Sequence, residues 1–162
     1  MNKFKDDIEY GIVRSNDQNF LDVCDYIKEN IVNENLFENG GMLQNSDIIY
    51  KALFLIVAYK DGEIIAFNSI RQKNEEELYI SQVVVKEKYR KLGIGSNLVK
   101  MAIQIAKNNN KNVRAHAREY NEPSIEMFRS LGFEQSDKLT KRGSYTFKLK
   151  LFELDEENKL HK

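Results

Sequence analysis

The stretch of sequence that decides the fold reads VVVKEKYRKLGIGS and runs from Val83 to Ser96. It begins as an apolar strand, continues through a basic loop that holds Gly93 and Gly95, and then leads into a helix. The first turn of a helix presents unpaired N–H groups and the positive end of the helix dipole. Glycines let an anion approach that backbone closely, and Arg90 and Lys91 add positive charge. The stretch therefore predicts a pyrophosphate-binding site.

Two common pyrophosphate-binding motifs do not fit this loop. A Walker loop requires Lys followed by Ser or Thr directly after its last glycine, whereas Ser96 and Asn97 follow Gly95. A dinucleotide fingerprint requires a third glycine where Leu98 stands, and it opens a strand–helix–strand unit rather than following a β-meander. A tight strand-to-helix turn that binds nothing is the remaining alternative at this point.

Upstream of the loop, alternating and apolar runs predict four strands, which cover residues 8–14, 54–59, 64–70 and 78–85. Asp61-Gly62 predicts a type I′ hairpin between the second and third strands, because both central residues of that turn have positive φ.

Between the first two strands, apolar residues recur at helical spacing from Phe20 to Ile31. This spacing predicts a helix, and Ser15, Asn16 or Asp17 would be its N-cap. A second short helix is expected to start near Ser46.

Downstream of the loop, the pattern alternates between helices and strands. Helices are predicted over 95–107 and 123–131 and strands over 113–117, 133–136 and 144–152. Gly132 is a natural C-terminal cap for the second of these helices. The element order predicts an α/β (α+β) fold with helices packed on a sheet. We expect one domain over residues 1–152 and a charged tail over 153–162.

Composition narrows the class of protein. Twenty-five basic and 25 acidic residues give zero net charge, which argues against nucleic acid or an anionic membrane as the main partner. Cys24 is the one cysteine, so we expect no internal disulfide and a small buried side chain at that position. No His, Asp or Glu cluster has metal-ligand spacing, and we therefore predict no metal site.

Localisation follows from two further features of the sequence. Residues 1–7 lack the apolar core of a signal peptide. The longest aliphatic run, Ala52 to Ala58, is far shorter than the ~20 residues that span a bilayer. We expect a cytoplasmic protein.

Two segments match the signatures of one known family, Arg90-x-x-Gly93-x-Gly95 and Asn121-x-x-Ser124-…-Phe128-x-x-x-Gly132-Phe133. The first resembles the acyl-CoA-binding motif of the GNAT superfamily of N-acyltransferases, and the second resembles that family's other signature. The resemblance implies a GNAT-like mixed, mostly antiparallel central sheet of about seven strands with flanking helices. It also implies acetyl-CoA as co-substrate and direct transfer of its acetyl group to a primary amine in a ternary complex. A homodimer would be compatible with such a fold.

The resemblance implies a role for each matched position. The backbone of Val83 and Val85 would pair with the pantetheine arm of coenzyme A like an added strand, and amides of this region would polarise the thioester carbonyl. Amides from Arg90 through Ser96 would hold the pyrophosphate. Asn121 would bond the pantetheine or orient the loop beneath it, which is compatible with a helix N-cap. The cofactor-binding residues implied in this way are Val83, Val84, Val85, Arg90, Lys91, Leu92, Gly93, Ile94, Gly95, Ser96, Asn121, Ser124 and Phe128.

The catalytic base is implied by a subfamily that resembles the ribosomal-protein N-terminal acetyltransferases. That subfamily places a glutamate two residues before an arginine, here Arg118, and His116 stands in the glutamate's place. An imidazole with an ordinary pKa of ~6.5 can accept a proton near neutral pH. We therefore predict His116 as the base, with Glu119 as the second candidate. The carboxylate that many members carry on the preceding strand is replaced by Ser81 and Gln82.

The general acid departs from the family pattern. The usual acid is a tyrosine four residues before the Gly-Phe pair, and this chain has Phe128 there. Tyr120 is a candidate replacement, as is Tyr145 on a late strand. Otherwise the thiolate leaves unassisted or takes a proton from water, because positioning and oxyanion stabilisation carry much of the rate.

Two other functions stay open at the level of sequence. Phe128, Ser81 and Gln82 are also what a catalytically weak acyl-CoA-binding sensor or module would carry. A nucleotide-binding or structural protein unrelated to coenzyme A is the third reading. The acidic run 75–77 is either a solvated turn or a lip that attracts a cationic amine.

Overall fold

The structure is a computed structural model that describes residues 7–33 and 47–152. The strands are β1 (Ile8–Arg14), β2 (Phe54–Lys60), β3 (Glu63–Gln72), β4 (Glu77–Val85), β5 (Asn112–Arg118), β6 (Glu134–Gln135) and β7 (Ser144–Leu149). The α-helices are α1 (Phe20–Ile27), α2 (Ile94–Asn108) and α3 (Glu122–Ser130). A π-helical turn covers Lys28–Val32, and 3₁₀ turns cover Ile48–Lys51 and Glu87–Tyr89. The tail predicted over 153–162 and the helix start predicted near Ser46 lie outside the described residues.

The seven strands form one sheet in the order β1-β2-β3-β4-β5-β7-β6. Every neighbouring pair is antiparallel except β4 and β5, which run parallel. The parallel pair is connected through α2, as a crossover between parallel strands requires. This arrangement confirms the mixed, mostly antiparallel sheet of about seven strands expected from the sequence. Within the described parts of the chain, no helix combines the length and apolarity needed to cross a membrane.

Two apolar clusters cover the two faces of the sheet. On one face, α2 and α3 pack against the strands through residues such as Leu98, Ile80 and Phe147. On the other face, α1 packs through Cys24 and its neighbours. Cys24 is 0% exposed, which confirms the expected burial, and that burial raises the pKa of its thiol to about 11.

Most local predictions agree with the structure. The hairpin turn has φ values of 51° at Asp61 and 79° at Gly62, as a type I′ turn requires. The predicted capping of α1 is wrong, because the helix begins only at Phe20 and Asn19 at its N-cap makes no side-chain hydrogen bond. The Asp17 carboxylate instead accepts a bond from the Arg14 N–H at 2.8 Å, which closes the turn after β1.

A β-bulge in β4 positions the candidate site. Ser69 of β3 lies opposite Gln82 and Ile70 lies opposite Ile80, so Ser81 is an extra residue in β4. A bulge bends its strand and increases the local twist. Beyond the bulge, β4 no longer pairs with β5, because the parallel ladder ends at Ile80 and Ala115.

Candidate functional site

The centre of the site is the opening between β4 and β5. Their parallel ladder covers only 77–80 against 112–115, although β4 continues to Val85 and β5 to Arg118. On its other side, β4 stays paired with β3 as far as Val85. One edge of residues 81–85 is therefore an edge strand inside the sheet, which an extended ligand can join by backbone hydrogen bonds.

The glycine turn lies at the end of this opening. Gly93 is the N-cap of α2 in the left-handed conformation, with φ of 81°, and no side chain from the described part of the chain caps the helix. The first N–H groups of α2 are therefore available to an anion. A Cβ built on Gly95 would lie 3.8 Å from side-chain carbons of both Val83 and Val85 and 3.6 Å from Met127 Sδ. The first turn of α2 thus sits directly against the diverging end of β4.

Arg90 has a local structural role that the sequence did not reveal. Its Nε donates a hydrogen bond to the carbonyl oxygen of Val85 at 3.0 Å. The bond fastens the basic loop to the end of β4, and it uses the Val85 carbonyl that the sequence assigned to the pantetheine arm.

The second signature builds the start of α3. Asn121 is its N-cap, and the side-chain oxygen accepts a bond from the Ser124 N–H at 3.3 Å. This geometry agrees with the N-cap role weighed for Asn121 from the sequence. Phe128 faces the core with 3% exposure, and its ring centroid is 5.2 Å from those of both Phe133 and Phe147.

His116 lies on β5, on the face opposite to the cluster of α2 and α3, where its neighbours Ala115 and Ala117 point. Its Nδ1 is 2.9 Å from the Tyr79 hydroxyl. Burial lowers the pKa of His116 below its ordinary 6.5, and the positive charges of Lys73 and Arg114 lower it further. The imidazole is therefore neutral at pH 7 and has one nitrogen that can accept a proton.

The other catalytic candidates lie just beyond the end of β5 or on β7. Glu119 is exposed just beyond β5, where its N–H donates to the Gly143 carbonyl at 3.0 Å. Tyr120 is 54% exposed. Tyr145 of β7 lies opposite Ala117 and packs with the cluster of α2 and α3, so it is on the other face of the sheet from His116.

Sequence reasoning missed Tyr79, the residue that His116 contacts. Tyr79 alternates with the buried Leu78 and Ile80 along β4, so it shares a face with His116 once the strands are parallel neighbours. The alternation was visible in the sequence, but the pairing of β4 with β5 was not.

A cavity of about 530 Å³ lies elsewhere on the molecule. Its lining includes Phe54, Gln72, Leu78 and the C-terminal half of α2 at Ile105. It is thus at the opposite end of α2 and β4 from the glycine turn, and it contains none of the predicted site residues.

Comparison with known proteins gives a family match and a fold match. The model of the Acetyltransferase (GNAT) family matches residues 22–133, and no curated protein matches the chain. A GNAT family acetyltransferase from Elizabethkingia anophelis with acetyl-CoA bound is 17% identical, with a TM-score of 0.65, over 90% of this chain and 99% of that one. The ribosomal-protein-S18-alanine N-acetyltransferase from Escherichia coli is 16% identical, with a TM-score of 0.65, over 91% and 97%. An Arabidopsis thaliana protein in complex with the bisubstrate analogue CoA-Ac-MVNAL is 22% identical, with a TM-score of 0.64, over 88% and 95%.

The N-cap of α3 can be tested by substitution. Asn121→Ala removes the acceptor of the Ser124 N–H and should cost about 1 kcal/mol of stability, whereas Asn121→Asp keeps that acceptor and should stay within about 0.5 kcal/mol of the parent. Urea denaturation of the three proteins measures the difference. Equal stability of the Ala and Asp variants would show that the cap bond contributes nothing.

Proposed function

Because the chain belongs to the GNAT acetyltransferase family, we propose that it transfers the acetyl group of acetyl-CoA to a primary amine by direct attack in a ternary complex. The observation that carries this proposal is the open edge of β4 running up to the uncapped first turn of α2. An extended thiol arm needs an edge strand, a pyrophosphate needs a helix N-terminus, and this chain places the two end to end.

In this proposal the backbone amides of residues 91–96 hold the pyrophosphate, and the pantetheine arm lies along residues 83–85. The Arg90 amide, which the resemblance also implies for the pyrophosphate, already donates to the Glu87 carbonyl at 3.2 Å. The Val85 carbonyl already accepts a hydrogen bond from Arg90 Nε. In this proposal Val85 therefore pairs with the pantetheine arm through its N–H. Val83 and Val84 complete that edge. Asn121 and Ser124 shape the start of α3, and Phe128 supports it from the core through Phe133 and Phe147.

The chemistry requires a neutral amine. Deprotonating a lysine-type amine at pH 7 costs about 4–5 kcal/mol, and an α-amine with a pKa near 8 costs about 1.4 kcal/mol. In the proposed reaction His116, directly or through a water, accepts the proton of the attacking nitrogen. The N–C bond forms first and gives a tetrahedral intermediate, and backbone amides of the β4 edge stabilise the negative charge on its oxygen. The C–S bond then breaks, the carbonyl re-forms and coenzyme A leaves as the thiolate.

The tautomer of His116 determines whether a ring nitrogen is free to accept the proton of the attacking amine. When Nδ1–H donates to the Tyr79 oxygen, Nε2 holds the free electron pair and can accept the proton. When the Tyr79 hydroxyl donates to Nδ1, the proton already sits on Nε2. Catalysis in this proposal uses the first arrangement, in which Tyr79 orients the imidazole as a positioning residue.

The departing thiolate takes its proton from solvent or from the imidazolium formed at His116. Phe128 has no proton to give, Tyr145 is on the other face of the sheet, and Tyr120 is mostly exposed. Tyr120 therefore stays a weak candidate for the acid, and Glu119 stays a second candidate for the base.

A second function is favoured by one specific observation. A buried phenylalanine replaces the family's tyrosine, and the residues at the bulge are Ser81 and Gln82 rather than a carboxylate. A catalytically weak protein that binds acyl-CoA as a sensor would have these residues. If the protein acetylates any amine much faster than acetyl-CoA is hydrolysed, it is a transferase and not a sensor.

The glycine turn can be tested with a matched pair of variants. Gly93 and Gly62 have φ values of 81° and 79°, and a Cβ at either would meet no atom of residues 7–33 or 47–152 within 4 Å. Gly93→Asp and Gly62→Asp should therefore lose a similar stability, about 1 kcal/mol each. Only Gly93→Asp places a carboxylate at the proposed pyrophosphate site, so its affinity for acetyl-CoA should fall at least about 100-fold by calorimetry. Unchanged affinity in Gly93→Asp would remove the assignment of this loop.

The base can be tested through the pH dependence of kcat/KM. Because the pKa of His116 is lowered, its base form persists to a pH below 6.5. Above that pKa, log(kcat/KM) should rise with a slope of about one as the amine deprotonates, and below it the slope should approach about two.

His116→Gln keeps a hydrogen-bonding partner for Tyr79 but does not titrate. It should lower kcat/KM by about 10²–10⁴-fold and leave a slope of about one over the whole range. A parent enzyme that already shows a single slope, or a variant that retains full activity, would dismiss His116 as the base.

A further inference from the structure

A polar patch covers the sheet face that carries His116. We define it as Ser69, Arg71, Tyr79, Gln82 and His116. Arg71 lies directly opposite Tyr79 and Ser69 lies opposite Gln82 in the β3–β4 ladder, so the members of each pair share a face. The 2.9 Å contact between Tyr79 and His116 extends the same patch to β5.

Tyr79 is surrounded by positive charge. The Arg71 guanidinium carbon is 5.3 Å from the centroid of the Tyr79 ring, and Lys73 Nζ is 5.8 Å from it. Burial raises the pKa of Tyr79 above its ordinary value, and the charges of Arg71, Arg142 and Arg114 oppose that rise. Cations from β3, the β3–β4 turn, β5 and the β6–β7 loop therefore converge on this ring.

Three polar atoms of the patch are buried and have no hydrogen-bond partner among the described residues. They are Ser69 Oγ, Arg71 Nε and Gln82 Oε1, and Ser69 is only 1% exposed. Buried polar groups in folded proteins are nearly always paired, so three on one patch need a physical explanation. A bound polar ligand supplies one.

Two of the cations around Tyr79 have no carboxylate partner among residues 7–33 and 47–152. Arg114 is compensated, because its guanidinium contacts the Glu77 carboxylate at 3.0 Å. Across 7–33 and 47–152, neither Arg71 nor Lys73 has a carboxylate oxygen within 4 Å. A half-buried guanidinium without an anionic partner is a preferred binding group for a carboxylate.

We propose that the acceptor carries a carboxylate besides its reacting amine, and that Arg71 and Lys73 bind this carboxylate across the ring of Tyr79. The inference rests on the proposed function, because it assumes that the amine reacts beside His116. Tyr79 lies on β4 between Arg71 on β3 and His116 on β5. The amine is thus received beside the Tyr79 hydroxyl and the carboxylate over the Tyr79 ring, with Ser69 and Gln82 as additional polar contacts.

This substrate class differs from the one that the acidic run suggested. Glu77 belongs to β4 and is held by Arg114, and hydrogen bonds from Arg114 and Asn74 outweigh burial and lower its pKa. Glu75 and Glu76 sit at the turn before β4, at the opposite end of that strand from the glycine turn. The charges that face the base are cationic, and they repel a polyamine.

The test measures release of coenzyme A from acetyl-CoA with matched acceptors. Each amino acid is compared with its amide, and a peptide with glutamate near its free N-terminus is compared with the glutamine peptide. The first comparison tests whether the site recognises a free carboxylate next to the reacting amine. The second tests whether it recognises the acidic side chain of a peptide. An amino acid amide is less basic than its acid, so an enzyme without a carboxylate site would favour the amide.

We expect kcat/KM to favour the carboxylate member of at least one pair by about 10- to 100-fold. Arg71→Gln and Lys73→Gln should remove most of this preference through KM for the acid, with little change for the amide. Arg71→Lys should recover part of it, since it keeps the charge but loses the bidentate fork. Lys100→Gln, an exposed cation on α2, is the control that should keep the preference.

A readout without turnover separates the two proposals. With the protein saturated by coenzyme A, an N-acetyl amino acid should raise the melting temperature more than its amide does, and Arg71→Gln should abolish the difference. Turnover that is equal for acids and amides, or a preference that Arg71→Gln leaves intact, overturns the carboxylate site and leaves the proposed function standing. Failure to bind acetyl-CoA and to turn over any acceptor overturns the proposed function itself.

Discussion

The arrangement of this protein depends on one interruption of backbone pairing. The β4–β5 ladder ends after Ile80 and Ala115 because Ser81 enters β4 as an extra residue and turns the strand. Continuous pairing would close the sheet and leave no edge for a ligand. The interruption opens that edge beside His116 and directs it to the first turn of α2, where Gly93 leaves the helix amides unpaired by side chains.

The two faces of the sheet carry different side chains around β4 and β5. The face toward α2 and α3 is apolar, and it holds the glycine turn in place through Gly95, Val83 and Val85. The opposite face concentrates polar and cationic groups around Tyr79. In the function proposed above, the cofactor uses backbone groups of β4 and α2, whereas the acceptor uses side chains on the opposite face, so a substitution in the polar patch leaves the cofactor-binding groups in place.

Much of this architecture could be predicted from the sequence, because its local signals are strong. Asp61-Gly62 fixes a hairpin, Gly93 and Gly132 adopt the positive φ values that favour glycine, and Asn121 is an N-cap. The bulge was harder to see. Before the bulge the even-numbered residues Leu78 and Ile80 face the α2 side, and after it the odd-numbered Val83 and Val85 do. Because Val84 is also apolar, this shift in the alternation does not show in the sequence.

Long-range neighbours could not be predicted in the same way. The insertion of β7 between β5 and β6 is a property of the assembled sheet. So is the contact of Tyr79 with His116, 37 residues later in the chain. In both cases, competing partners were equally acceptable by local chemistry, and tertiary packing chose between them. The predicted capping of α1 is wrong for a local reason, since the Asp17 carboxylate has a nearer donor in the Arg14 amide.

The state of Cys24 has a practical consequence for work with thiol-reactive dyes. Such dyes react with a thiolate, and the side chain of Cys24 is inaccessible and, with a pKa of about 11, protonated at neutral pH. It is the only sulfhydryl in the chain. When the native protein is assayed with added acetyl-CoA, the colour formed by such a dye therefore comes from released coenzyme A, even at high protein concentration. One slow extra equivalent of reacted thiol would report denaturation of the protein.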